Sequence, residues 1–221
     1  MCIRDSLFAL VIAFVILPSV QSQEADTAAD KIVFKDDFQK GADRWQMLDA
    51  DTWKVADRDG NKSIEITGRK SKYKPPVRSP GHVALVKDLE VGSFDMTFRV
   101  RSTKDTGNHR DCCVFFNYID NQHFYYVHLG AVPDPHSGQI MIVKEAPRLA
   151  LTKNERKTPW DDQWHNVKVS RDLESGSIKV YFDDMEKPHM QVTDKTFGKG
   201  RIGIGSFDDL NEFDDVVIQT R

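Results

Sequence analysis

The residues best suited to chemistry lie in one short stretch, "DCCVFFNYIDNQHFYYVHL", Asp111 to Leu129, which holds six aromatic residues, two histidines and two adjacent cysteines. If Asn121 and Gln122 form the turn of a hairpin, Asn117 pairs with Tyr126 and Phe115 with His128. Side chains alternate across a strand. One face then carries Cys112, Val114, Phe116, Tyr118, Tyr125, Val127 and Leu129, and reads as core. The other carries Cys113, Phe115, Asn117, Phe124, Tyr126 and His128, which mix ring surface with a hydroxyl, an amide and an imidazole. Rings stack on the C–H faces of pyranoses and polar groups bind their hydroxyls, so this second face reads as a glycan site. Tyr126 and His128 are its candidate catalytic groups, because a tyrosine or a neutral imidazole beside an arginine can act as a base.

Other elements must complete such a site. "SFDMTFRVR" alternates strictly, with Phe94, Met96, Phe98 and Val100 on one side, and Arg99 and Arg101 on the other, from which the arginines are expected to join the surface. Residues 131–160 read as a long irregular loop, a common carrier of function, and His136, Arg148 and Trp160 are its candidates to reach the site. The alternative is that this loop folds over the aromatic face as a small second core. The Pro-rich, basic segment "KSKYKPPVRSPGH", 70–82, reads as a solvated connection, with a rim that attracts an anionic ligand as the competing reading.

Several chemistries are excluded. The chain has no Gly-x-Ser-x-Gly elbow, phosphate loop or His-Glu-x-x-His. His123 and His128 fall on opposite sides of a strand and are not a metal pair. Cys112 and Cys113 also point apart, so they are expected as buried thiols, not as a disulfide or a zinc site. A formal charge of -3 over 221 residues gives no broad basic field, and nucleic acid is not an expected partner.

The N-terminal run "LFALVIAFVIL", 7–17, is followed by Val20 and Ser22, a small-residue pattern before a cleavage point. It is short of the roughly 20 residues that span a bilayer. Residues 1–22 are therefore expected to be a signal peptide, with an anchor helix as the alternative; 23–31 are a linker and 32–221 the domain. The expected product is secreted or periplasmic, with no membrane partner after cleavage. From Ile32 onward the pattern is β. "TWKVADRDGNKSIEIT" is a hairpin around Asp-Gly-Asn, and "WHNVKVSRDLESGSIKVYFDD" is a second with Glu-Ser-Gly at its turn. Many short strands spaced by turns predict a two-sheet sandwich or jelly roll.

"QWHNVKV", "SGSIKVYFDD" and "GRIGIGSFDD" followed by "FDDVVI" resemble the concanavalin A-like lectin/glucanase superfamily, and Trp164 with His165 opening a strand is similar to laminin G-like domains. "FKDDF", Trp45 and "TWKV" look like the secreted 3-keto-disaccharide hydrolase group within it. The resemblance covers roughly residues 32–221 and implies an all-β concanavalin A-like jelly-roll sandwich of two antiparallel sheets. It also implies a structural calcium where the first and last strands meet, with Asp215 and then Asp37 as ligands. Trp164 and His165 are read as scaffold. The expected partner is a glycan or oligosaccharide. Two alternatives stand beside a binding role. One is a glycan-cleaving enzyme, lyase or 3-keto-glycoside hydrolase, using Tyr126 and His128. The other is a laminin G-like protein-interaction domain. The Glu-x-Asp-x-x-Glu of laminarinase-type members is absent, which argues against paired-carboxylate hydrolysis. Arg99, Asn117, Tyr126 and His128 supply the residue types of a lyase.

Overall fold

The computed structural model describes residues 31–221; the expected signal peptide and all but the last residue of the linker lie outside the described residues. Two antiparallel sheets face each other. The first runs β13 (Met190–Thr193), β12 (Ser177–Phe182), β11 (His165–Arg171), β6 (Phe94–Ser102), β15 (Asn211–Thr220), β4 (Asn61–Ile66) and β3 (Trp53–Arg58), with β1 (Lys31–Asp36) also paired to β15. The second runs β10 (Leu149–Ala150), β9 (Gln139–Lys144), β8 (His123–His128), β7 (Cys113–Asp120), β14 (Gly200–Ser206), β5 (His82–Val91) and β2 (Trp45–Met47). Helical structure among the described residues is limited to two 3₁₀ turns, Ala50–Thr52 and Gly107–His109. No helix among them is long and apolar enough to cross a membrane.

Alternation decides which side chains fill the space between the sheets. In β6 Phe94, Met96, Phe98 and Val100 are buried while the residues between them are partly exposed. They meet Val114, Phe116, Tyr125 and Val127 of the second sheet in one apolar cluster, with Phe94 edge-on to Phe116 at 5.9 Å. The β3–β4 hairpin turns where expected. Asp59 and Gly60 both have positive φ, 57° and 85°, the backbone of a type I′ turn.

The β7–β8 hairpin also forms, but its register differs from the expected one. Near the turn Asp120 lies opposite His123; beyond it Phe116 faces Tyr125, Phe115 faces Tyr126, and Cys113 faces His128. The ladder slips between Phe116 and Asp120, where Asn117 has a φ of 45°. This bulge turns Tyr118 away from the inter-sheet core and into the cluster on the opposite face. It carries Asn117 inward, where it is fully buried. Asn117 is therefore removed from the expected glycan face.

Arg171 fixes the bulge from the other sheet. It is 0% exposed, and its Nε donates to Asn117 Oδ1 at 3.2 Å. Nη1 donates to the carbonyls of Gly176 and Asp194, both at 2.8 Å, and Nη2 to that of Phe197 at 3.2 Å. Its guanidinium packs over Tyr125, 5.4 Å from the ring centre. Burial pushes its pKa down, yet no carboxylate is hydrogen-bonded to it; carbonyl dipoles and a ring face hold the charge.

Candidate functional site

Phe115, Phe124 and Tyr126 do face away from the inter-sheet core, but they are not open to solvent. They form a second apolar cluster with Val83, Leu85, Cys113, Tyr118, Met141 and Val143. Tyr73 and Val77 of the Pro-rich segment cover it, with Ala150 and Phe207. The expected platform of rings at Phe115 and Phe124 is thus a small core, and the segment 70–82 is part of its cover. The reason is physical: a patch of rings this large is seldom left open to water.

Arg99 and Arg101 lie on the outer face of the first sheet, while the hairpin belongs to the second, so neither is beside His128 and Tyr126, although Arg101 lines a hollow of about 330 Å³ at the end of the sandwich. On that outer face both guanidiniums lie over the Trp164 ring, each 4.9 Å from its centre. Arg99 donates to Asp214 Oδ2 at 2.9 Å and Asp215 Oδ2 at 2.7 Å; Arg101 donates to Glu212 Oε2 at 2.8 Å. The lyase set of Arg99, Asn117, Tyr126 and His128 is not assembled. His165 behaves as scaffold, its Nδ1 lying 2.8 Å from Asp183 Oδ2.

The first and last strands do pair, with Asp36 opposite Val216. Asp37 and Asp215 do not converge there on a third side-chain ligand: neither belongs to a ligand cluster among the described residues. Asp37 Oδ1 accepts the Gln39 amide and Asp215 is held by Arg99. The two carboxylates would supply only part of a calcium shell, which backbone carbonyls would have to complete, and Asp215 Oδ2 is already engaged by Arg99. We expect the thermal midpoint to be the same in EDTA and in millimolar calcium. A rise of several degrees in calcium would restore the site.

What the structure does assemble lies at the His128 end of the hairpin. His128 is nearly buried; its Nδ1 can donate to the His136 carbonyl at 2.8 Å, and its Nε2 faces Asp111 Oδ2 at 3.7 Å. Asp111 Oδ1 accepts the Ser206 hydroxyl and the Phe207 amide, both at 2.9 Å. Burial alone would raise this carboxyl, but His128 and those donors lower it, and the net direction is down. Cys113 is the cross-strand partner of His128, and its Sγ lies 4.0 Å from Asp111 Oδ1. Burial pushes its thiol well above the usual cysteine range.

The loop after β8 is shaped to present the His136 carbonyl. Gly138 has a φ of +64°, and a Cβ there would lie 2.8 Å from Pro133, so only glycine closes the turn. The His136 amide donates to Asp134 Oδ1 at 2.6 Å. A cavity of about 330 Å³ opens above, lined by Asp111, His128, His136, Arg148, Phe207 and their neighbours. Phe207 stacks on the His128 ring at 5.5 Å and lies under Arg148, whose Cζ is 4.3 Å from the ring centre. Arg148 Nε and Nη1 are buried with no hydrogen-bond partner, as is Tyr126 Oη. Neither Arg148 nor Arg78, which lies over the same ring at 5.6 Å, has an ion-pair partner among the described residues.

His128, His136 and Arg148 are therefore together, as the sequence suggested. Tyr126 is beside them, but it is fully buried and burial raises its hydroxyl well above the usual range, which leaves it unfit as a base where it stands. Trp160 lines the adjoining cleft of about 610 Å³, which shares Asn108, Arg110 and Val132 with the first cavity. Its Nε1 donates to the Leu129 carbonyl at 2.8 Å. A third hollow of about 330 Å³ shares Asp105 and Asp162 with that cleft. The three form one groove across the end of the sandwich. Asp111 and Phe207, both at its deep end, were not singled out from the sequence. The alternation of Asp111 with Cys113 was the available signal.

The sequence matches no protein-family model and no curated protein. The fold is shared with solved structures. A carbohydrate-binding module from Bacillus subtilis superposes with a TM-score of 0.57 at 18% identity, covering 80% of this chain and 96% of its own. Domain 4 of an extracellular arabinanase from Geobacillus stearothermophilus, solved with arabinotriose, gives 0.55 at 13% identity, over 86% of this chain and 93% of its own. The β-glucanase of Bacillus licheniformis gives 0.51 at 15% identity, over 88% of this chain and 99% of its own. The chain thus has the concanavalin A-like jelly-roll fold, in two antiparallel sheets.

Proposed function

We propose that the protein is an exported carbohydrate-recognition domain, whose glycan lies in the groove at the end of the sandwich and carries an acidic group opposite Arg148. The observation that carries this reading is the Arg148 side chain, with Nε and Nη1 buried, unpaired and on the wall of an open cavity. A buried donor without a partner costs about 1–3 kcal/mol, which a ligand oxygen would recover. Arg78 adds a second unpaired cation above Phe207. Trp160 offers ring surface further along the groove. The carbohydrate-related names of the superposed structures support the same partner class. The apolar run 7–17, followed by small residues, supports export. Binding is favoured over cleavage because Tyr126 is out of reach of a substrate, which leaves His128 on the cavity wall without the second group the sequence offered beside it.

The test is calorimetric titration of the protein with neutral, uronic, sulfated and 3-keto oligosaccharides, with products followed by mass spectrometry. We expect an acidic glycan to bind and Arg148→Ala to weaken it by about 10–100-fold, the worth of one charge-assisted hydrogen bond. Equal affinity in the variant would put the ligand elsewhere. A new product would make this an enzyme, and silence toward every sugar would favour a laminin G-like protein partner.

A further inference from the structure

We propose that Asp111, Cys113 and His128 form a binding site for a single divalent transition-metal ion of the zinc type, with its open coordination position facing the groove. Nε2 of His128, a carboxylate oxygen of Asp111 and Sγ of Cys113 all lie within 4.8 Å of one another, and all three residues are buried. No other group of three such side chains comes together among the described residues. The set is a nitrogen, an oxygen and a sulfur, the donors such an ion accepts.

The contacts within the cluster are long. His128 Nε2 stands 3.7 Å from Asp111 Oδ2, and Cys113 Sγ stands 4.0 Å from Asp111 Oδ1. An N–H···O hydrogen bond is shorter than the first, and the second is at the outer limit for a thiol donor. A tetrahedral ion with bonds of about 2.0–2.3 Å holds nitrogen and oxygen ligands about 3.3–3.4 Å apart and a sulfur about 3.5 Å from either, so the His128–Asp111 edge of 3.7 Å is open by only a few tenths of an ångström. The thiol, within 4.8 Å of the other two donors, closes the set by moving toward them.

The surroundings are those that orient metal ligands. The far nitrogen of His128 is fixed by the His136 carbonyl, and the far oxygen of Asp111 by Ser206 and Phe207. A second observation points the same way: Tyr126 Oη, fully buried and without a partner, sits beside the cluster, its ring 6.2 Å from that of His128. Asp111 and His128 both line the cavity, so a fourth ligand would come from that side: water, or an oxygen of whatever occupies the groove. The proposal needs no glycan and is tested without one.

The probe is Co²⁺ alone, added to the EDTA-treated and dialysed protein. One equivalent should bind and give a thiolate-to-cobalt charge-transfer band in the near ultraviolet, and one equivalent of Zn²⁺ should abolish it. Cys113→Ser should remove the band, and His128→Gln should weaken binding at least 10-fold. Cys112→Ser should keep both, since Cys112 belongs to the inter-sheet core on the other face. Circular dichroism establishes that the variants fold. Should Cys113→Ser unfold, competition between the unaltered protein and a chromophoric chelator decides instead. No band with the unaltered protein, or a band that survives Cys113→Ser, overturns the site.

Discussion

Replacing Arg171 with alanine is expected to cost about 3–5 kcal/mol, a large part of the stability of a domain this size. The side chain is wholly enclosed, and it donates to four acceptors: the buried Asn117 Oδ1 and Phe197 carbonyl, the part-buried Asp194 carbonyl, and the Gly176 carbonyl, which the Asp194 amide also serves. Each acceptor left bare costs about 1–3 kcal/mol, though relaxation and entering water recover part of the sum. Arg171→Met is the sharper variant, because it keeps much of the volume and removes only the donors; it should fall nearly as far. Arg171→Lys should recover little, since an ammonium does not reach acceptors spread around a planar fork. Chemical denaturation at constant m-value reads the effect. A loss under 1 kcal/mol for Arg171→Met would mean that packing, not hydrogen bonding, secures the bulge.

The second large effect is a loss of stability in mild acid. His189 is buried, and burial with the nearby Arg156 charge lowers its pKa to about 4. Its Nε2 lies 3.2 Å from Thr158 Oγ1, whose own proton goes to the Gly130 carbonyl, so the ring is the donor. The unfolded chain would take up this proton near the ordinary histidine value of about 6.5. The contribution of neutral His189 is therefore complete above pH 6.5 and is lost as pH falls toward 4, by roughly 2–3 kcal/mol. His82, lowered chiefly by burial, acts in the same direction. Asp209 and Asp214 act oppositely, because burial raises them and their protonation favours the fold. His189→Gln should lower stability at pH 7 and flatten its decline between pH 6.5 and 4. An unchanged slope in that variant would assign the acid sensitivity to other groups. Thr158 borders the groove, so ligand binding should weaken over the same pH range.

The sequence told most about elements governed by local rules. Strict alternation placed the inward faces of β6, and Asp59-Gly60 placed a hairpin. The β7–β8 hairpin shows where such rules stop. The register next to its turn was readable, but the slip at Asn117 answers to Arg171 in the opposite sheet, 54 residues away. That slip hid the pairing of Cys113 with His128, and with it the cluster at the head of the groove. Arg99 and Arg101 were correctly turned outward on their own strand. Which sheet the strand joined depended on pairing with β11 and β15, a non-local matter that alternation does not encode. The aromatic face was read as bare because its cover comes from Tyr73 and Val77, in a segment whose prolines and lysines suggest solvent.

The pairing of β1 with β15 sets Lys31 opposite Thr220. The path of the described chain thus enters and leaves the sandwich at neighbouring points of one sheet. Such a unit has the connectivity of a plug: it can be spliced into a surface loop of a host protein, or have its ends joined and a new opening cut elsewhere, without stretching any strand. The same closure demands that the two most distant parts of the chain find each other. Assembly must then wait on a long-range encounter, and folding belongs among the slow, high-contact-order cases.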